Sequence, residues 1–207
     1  AARLPGVLAG AAGLAISGAV AGTTQLLGPL ELHRHGASAG TIGLIFSGVA
    51  ILYISTSAVV VRAGPRALRL RVNALAAIAI ALALTPAMLS TAGVAIVCTL
   101  AATTIPRSVV GTLSYPLATL PAERAHVGSG TAIGLVNAAW AAGLVAAPLL
   151  AGAVSSASSP RTGFLVIGVL TLGGALALAA RARTTRATES LDTREPIELE
   201  VPQEAFV

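Results

Sequence analysis

Arg107 is the residue of this chain whose chemistry most needs an explanation. It is the single charge inside a long apolar stretch, 94–118. A guanidinium in apolar surroundings is costly unless it meets water, a partner group or a ligand. At helical spacing it shares a face with Thr103, Thr104, Ser108, Gly111, Ser114 and Tyr115. Such a face would hold an anionic or polar group of a small molecule. Two other roles fit the same residue: donation to a carbonyl freed by Pro106, and extension of the long side chain to a polar boundary. Asn137 and Trp140, with Gln25, Thr23 and Thr24, are the next candidates. An indole can stack on an aromatic or cationic ligand, and it can equally serve as packing between helices.

Other groupings carry less. Glu31 follows Pro29 and stands beside His33 and His35, which fits a pH-sensitive cluster or an exposed loop, the loop being the commoner explanation. Tyr53, Ser55, Thr56 and Ser57 form a polar turn expected to hydrogen-bond inside a helix bundle. Residues 35–40 read His-Gly-Ala-Ser-Ala-Gly and satisfy G-x-S-x-G. That motif needs a strand before it, a helix after it, and an acid and a His placed later in the fold. Here it links two apolar stretches and the chain's single Asp is Asp192, so a loop of small residues explains it and no enzyme is expected. Cys98 is alone, and no Walker loop, HExxH run or CxxC pair occurs, so neither a metal site nor a cofactor is expected.

The elements that must position these residues are six apolar stretches, at about 7–28, 41–61, 72–89, 94–118, 127–154 and 163–180. A helix rises about 1.5 Å per residue and a hydrocarbon core is about 30 Å thick, so each is long enough for one crossing. Ten of the thirteen arginines fall at the chain ends or in every second connection: Arg3, then Arg62, Arg66, Arg69 and Arg71, then Arg124, then Arg181, Arg183, Arg186 and Arg194. Alternating helices put all ten on one side. Because cytoplasmic loops carry the excess of Lys and Arg, the expectation is a multi-pass protein of the plasma (inner) membrane with both termini cytoplasmic.

Composition agrees. With 55% hydrophobic and 10% charged residues, and a mean hydropathy of +0.86, the chain has too little polar surface to face water and needs a lipid bilayer. The pI near 11.0 reflects dispersed loop arginines, with no basic face or aromatic platform for nucleic acid. The first stretch could be tested as a signal peptide, but it runs on to Leu30, beyond the usual span of about 7 to 15 apolar residues. The chain starts without Met almost directly on a helix, which suggests that an upstream portion is missing. Six of the eight acids lie after residue 188, so residues 1–182 are expected to form the membrane unit and 183–207 a disordered cytoplasmic tail.

Inside the stretches, Gly6 with Gly10, Gly18 with Gly22, and Gly130 with Gly134 form G-x-x-x-G pairs. They predict close helix contacts, fixed or sliding. Pro86, Pro106, Pro116 and Pro148 would each free a carbonyl and bend a helix.

A resemblance gathers these features. Residues 57–66 read Ser-Ala-Val-Val-Val-Arg-Ala-Gly-Pro-Arg and are similar to the G-x-x-x-D-R-x-G-R-R signature between the second and third helices of a major facilitator superfamily half. Arg62, Gly64 and Arg66 match; Ser57 and Val61 replace the first Gly and the Asp. Tyr115-Pro116, Leu120-Pro121-Ala122-Glu123-Arg124, then Gly128, Gly134, Gly143, Pro148 and Gly152 resemble the family's progression through helices ten and eleven. The resemblance covers about residues 5 to 182. It implies an all-α membrane protein, a 3+3 inverted repeat forming the C-terminal half of a twelve-helix bundle, with a missing N-terminal six-helix half as partner. It implies a cytoplasmic gate at Arg62, Gly64, Arg66, Glu123 and Arg124. The substrate-path candidates are then Arg107, Thr103, Thr104, Ser108, Asn137, Trp140 and Gln25. The implied function is secondary transport of small organic molecules by alternating access, with efflux favoured on family frequency alone. A non-transporting membrane interaction protein or truncated relative is the alternative, and uptake of a polar or anionic metabolite a weaker one. No carboxylate lies centrally in any stretch, so protons as the coupling ion would need an acid in the missing half.

Overall fold

The computed structural model describes residues 4–64, 68–126 and 128–192. The described chain is helical: α1 (Pro5–Arg34), α2 (Ala39–Ala63), α3 (Leu70–Leu82), α4 (Thr85–Leu89), α5 (Gly93–Arg124), α6 (Ser129–Ala157) and α7 (Pro160–Asp192). Six spans are long and apolar enough to cross a bilayer, with α3 and α4 together making one of them, Leu70–Leu89. Most helices run several residues past the apolar stretches, because Leu, Ala, Glu and Arg at their ends are good helix formers. The last one continues through residues 183–192, where the sequence alone suggests an irregular tail. The rest of that tail, 193–207, lies outside the described residues, as does Arg66.

Local chemistry accounts for the breaks. The third crossing is interrupted ahead of Pro86, which has no N–H to offer a helix. The Thr85 hydroxyl donates to the Leu82 carbonyl at 2.6 Å, and the Ala87 N–H donates to Thr99 Oγ1 of α5 at 3.0 Å. A backbone donor at membrane depth is thereby satisfied by a neighbouring helix. By contrast α5 runs unbroken through Pro106, Pro116 and Pro121. Between α1 and α2 the chain turns at Gly36, φ +84°, and Ser38 Oγ accepts from the Thr41 N–H at 3.2 Å. The serine of the G-x-S-x-G run is thus a helix N-cap.

Helix α1 is the centre of the bundle, packed against α6 and α5 most extensively and touching α7, α3 and α2 as well. Its glycines make this possible. A Cβ on Gly6 or Gly10 would lie 2.5 Å from the Leu117 carbonyl or 2.6 Å from that of Ser114, both on α5. Gly18 and Gly22 abut the Trp140 and Leu144 carbonyls of α6 in the same way, and Gly143 of α6 abuts the Ala15 carbonyl of α1. Two of the three expected G-x-x-x-G pairs are therefore helix contacts. The third is not: a methyl on Gly130 or Gly134 would find nothing within 4 Å, because that face of α6 is turned away from the other helices. Helix α2 has no buried residue at all and packs chiefly on α5.

Candidate functional site

Four helices line a half-open cavity of about 510 Å³. Each contributes one face at helical spacing: Leu14, Ser17, Thr24 and Gln25 from α1; Phe46, Val49, Ala50, Tyr53 and Ile54 from α2; Leu100, Thr104, Arg107, Gly111 and Tyr115 from α5; Asn137 and Trp140 from α6. Five of the seven path candidates are therefore brought together: Arg107, Thr104, Gln25, Asn137 and Trp140.

Thr103 and Ser108 are not among them. Both are fully buried, and their hydroxyls donate to their own helix, Thr103 to the Thr99 carbonyl at 2.7 Å and Ser108 to that of Ile105 at 2.7 Å. The reason is angular. At about 100° per residue, Leu100, Thr104, Gly111 and Tyr115 fall within about 80° on one side of Arg107, whereas Thr103 falls about 40° to the other side and Ser108 about 100° round on the first side, past Tyr115. The arc that faces the cavity is centred near Gly111, and Arg107 stands at its edge. Gly111 also explains how α2 comes close, since a Cβ there would meet the Tyr53 hydroxyl at 2.5 Å.

Arg107 makes no hydrogen bond or ion pair among the described residues, and its buried Nε has no partner. Neither a carbonyl freed by Pro106 nor an acid holds it. Among the described residues it is the single ionised side chain lining the cavity. Across the cavity, the Tyr115 hydroxyl donates to Asn137 Oδ1 at 2.6 Å, joining α5 to α6. Thr24 and Thr104 turn their hydroxyls inward, to the carbonyls of Val20 at 2.7 Å and Leu100 at 2.6 Å.

Sequence reasoning misses Phe46 and misplaces Tyr53, which faces the cavity rather than a bundle interior; its neighbour Thr56 bonds only its own helix, at the Leu52 carbonyl. The recurrence of Phe46, Val49, Ala50, Tyr53 and Ile54 at steps of three and four is the signal that could have found them. Glu31 is also corrected. It is not in an exposed loop but buried in the last turn of α1, 3% exposed, accepting from Arg34 Nη1 at 2.7 Å. His33 and His35 beside it are exposed.

At the opposite end, Arg62 is exposed in the last turn of α2 and Gly64 closes that helix with φ +60°, a conformation glycine adopts readily. Glu123 and Arg124 are exposed at the end of α5. No hydrogen bond or ion pair joins Arg62 to Glu123 or Arg124 among the described residues.

Compared with known proteins, residues 5–203 match the family model described as Major Facilitator Superfamily. No curated protein and no solved structure matches significantly.

Proposed function

We propose that this chain, which belongs to the Major Facilitator Superfamily, is the C-terminal six-helix half of an alternating-access carrier. The family implies secondary transport of small solutes, and the six apolar spans make the protein integral to a membrane. In this reading residues 1–182 form the membrane half and the four-helix cavity is one wall of the solute path. Arg107, Gln25, Thr104, Asn137 and Trp140 face the solute. The observation that carries the proposal is an arginine without a partner in a cavity with no acid, since a charge at membrane depth is retained where it meets water or a ligand.

The companion half covers the faces this unit leaves open: α2, with Leu44, Ile51 and Ile54 exposed, and the Gly130–Gly134 side of α6. Arg62, Gly64, Arg66, Glu123 and Arg124 form the cytoplasmic gate, and the arginine asymmetry sets both termini in the cytoplasm of a cell whose plasma membrane holds the carrier. Any proton that drives transport is carried by an acid of the companion half, because no cavity residue here can take it. Export is the direction proposed, on family frequency alone.

The test is solute flux in proteoliposomes containing the protein with both halves, driven by an imposed pH gradient, with Arg107→Ala beside the wild type. Loss of flux for anions in the mutant, with flux of neutral compounds kept, is the expected result. Gradient-driven flux indifferent to Arg107 would remove it from the path. Folded protein that moves no compound would leave the non-transporting alternative.

A further inference from the structure

Resting on the carrier reading of this cavity, we infer that its solute is a planar aromatic anion, a one- or two-ring carboxylate or sulfonate. The chain has six aromatic residues in 207, and four of them, Phe46, Tyr53, Tyr115 and Trp140, line this one cavity. Of the other two, Phe164 is buried in the helix core and Phe206 lies outside the described residues. Tryptophan and tyrosine in membrane proteins gather at the two interfaces with water. Here Tyr53 and Trp140 stand near the middles of α2 and α6, where an interfacial role does not account for them. Rings converging on one space from three helices offer faces and edges to another ring.

The polar groups select the sign. Arg107 supplies a fork of N–H donors, matched to the two oxygens of a carboxylate. The Tyr115 hydroxyl occupies Asn137 Oδ1, which leaves the Asn137 amide nitrogen as a donor. Thr24 and Thr104 have spent their hydroxyl protons on their own helices. The cavity therefore has donors to spare, with no carboxylate to receive a cation. Aromatic faces also attract cations, but a fixed guanidinium in the same space opposes that. A saturated anion would satisfy Arg107 and leave the rings unused.

The experiment compares three probes of similar size: naphthalene-2-carboxylate, its saturated decahydro analogue, and 2-naphthylmethylammonium. Binding to the complete protein in nanodiscs is followed by the emission of Trp140, the chain's single tryptophan, after subtraction of a Trp140→Phe sample. Flux of each probe is measured in proteoliposomes. The aromatic acid is expected to bind about 10-fold more tightly than either other probe, which is the size of one or two ring contacts or one charge-assisted pair. Arg107→Gln should bring acid and ammonium to parity and Arg107→Lys should restore part of the preference; Trp140→Leu, which removes the reporter and is read by flux, should reduce the gap between aromatic and saturated acids. Equal binding of the saturated acid overturns the aromatic assignment, and preference for the ammonium overturns the anionic one. In both cases measurable flux would leave the carrier reading standing. Absence of flux and binding for all three, in folded protein, would overturn this inference alone; the carrier reading falls only if the protein moves no other compound either.

Discussion

Gly10 and Gly134 both sit in helices, both at a G-x-x-x-G position, yet the structure gives them opposite fates on conversion to alanine. A methyl at Gly10 would lie 2.6 Å from the Ser114 carbonyl oxygen and 3.3 Å from Ala118 Cβ. Backbone cannot swing aside as a side chain can, so α1 and α5 must part by nearly an ångström to restore ordinary contact. Overpacking of this kind costs about 1 to 3 kcal/mol. At Gly134 nothing lies within 4 Å, and the new methyl meets no atom of this six-helix unit. Alanine is favoured over glycine in a helix by about 0.8 to 1.0 kcal/mol, and that gain applies to both variants. The difference between them therefore isolates packing: Gly10→Ala should be less stable than Gly134→Ala by about 1 to 3 kcal/mol. Reversible unfolding of the purified protein in mixed micelles, titrated with a denaturing detergent, measures it. A Gly10→Ala protein stabilised over the wild type by the full helix preference of about 0.8 to 1.0 kcal/mol would refute the assignment of Gly6 and Gly10 to the α1–α5 contact. A Gly134→Ala protein that unfolds as early as Gly10→Ala would show a close neighbour on the α6 face, the place where the companion half is proposed to sit.

Two further expectations follow from side chains whose partners are defined. Thr99→Val leaves the Ala87 N–H, freed by the break at Pro86, without its acceptor; a buried unsatisfied donor costs about 1 to 3 kcal/mol, so amide exchange at the start of α4 should accelerate while exchange in α6 stays unchanged. Thr103→Val removes a hydroxyl that bonds only the Thr99 and Leu100 carbonyls, so solute KM should match the wild type; a change of more than about threefold in KM, with expression unaltered, would return Thr103 to the cavity face.

The six crossings were legible because each is a long apolar run, and length against bilayer thickness needs no tertiary information. The cavity was partly legible for a related reason. Arg107 is conspicuous in an apolar stretch, and polar residues at membrane depth such as Gln25 and Asn137 are few. What remained hidden was rotation. A helix face read from sequence is fixed only to within the width of the arc it presents, and α5 is turned so that Arg107 stands at one edge of its arc. Thr103 and Ser108 then fall outside on opposite sides, while Leu100, with no polar group to mark it, falls inside. Phe46 was hidden for the same reason: an aromatic in an apolar helix has no signature until its neighbours are known. The two fates of glycine were equally unreadable, since Gly10 and Gly134 differ only in what another helix places opposite them.

That rotation is set by the glycines of α1, which links the packing to the chemistry. Gly6 and Gly10 seat one end of α1 on the carbonyls of Leu117 and Ser114, and Gly18 and Gly22 seat its middle on those of Trp140 and Leu144. One helix thus holds α5 and α6 by backbone contact at two separate levels. Contacts between backbones permit little adjustment, so the azimuth of each partner is fixed along with its distance. Trp140 is itself one of the seats: its carbonyl meets Gly18 while its side chain lines the cavity. Ser114 seats Gly10 through its carbonyl, and the next residue, Tyr115, reaches across to Asn137. A methyl at Gly10 or Gly18 should therefore act on the cavity as well as on stability, by turning Tyr115 or Trp140 away from a ring that touches neither glycine.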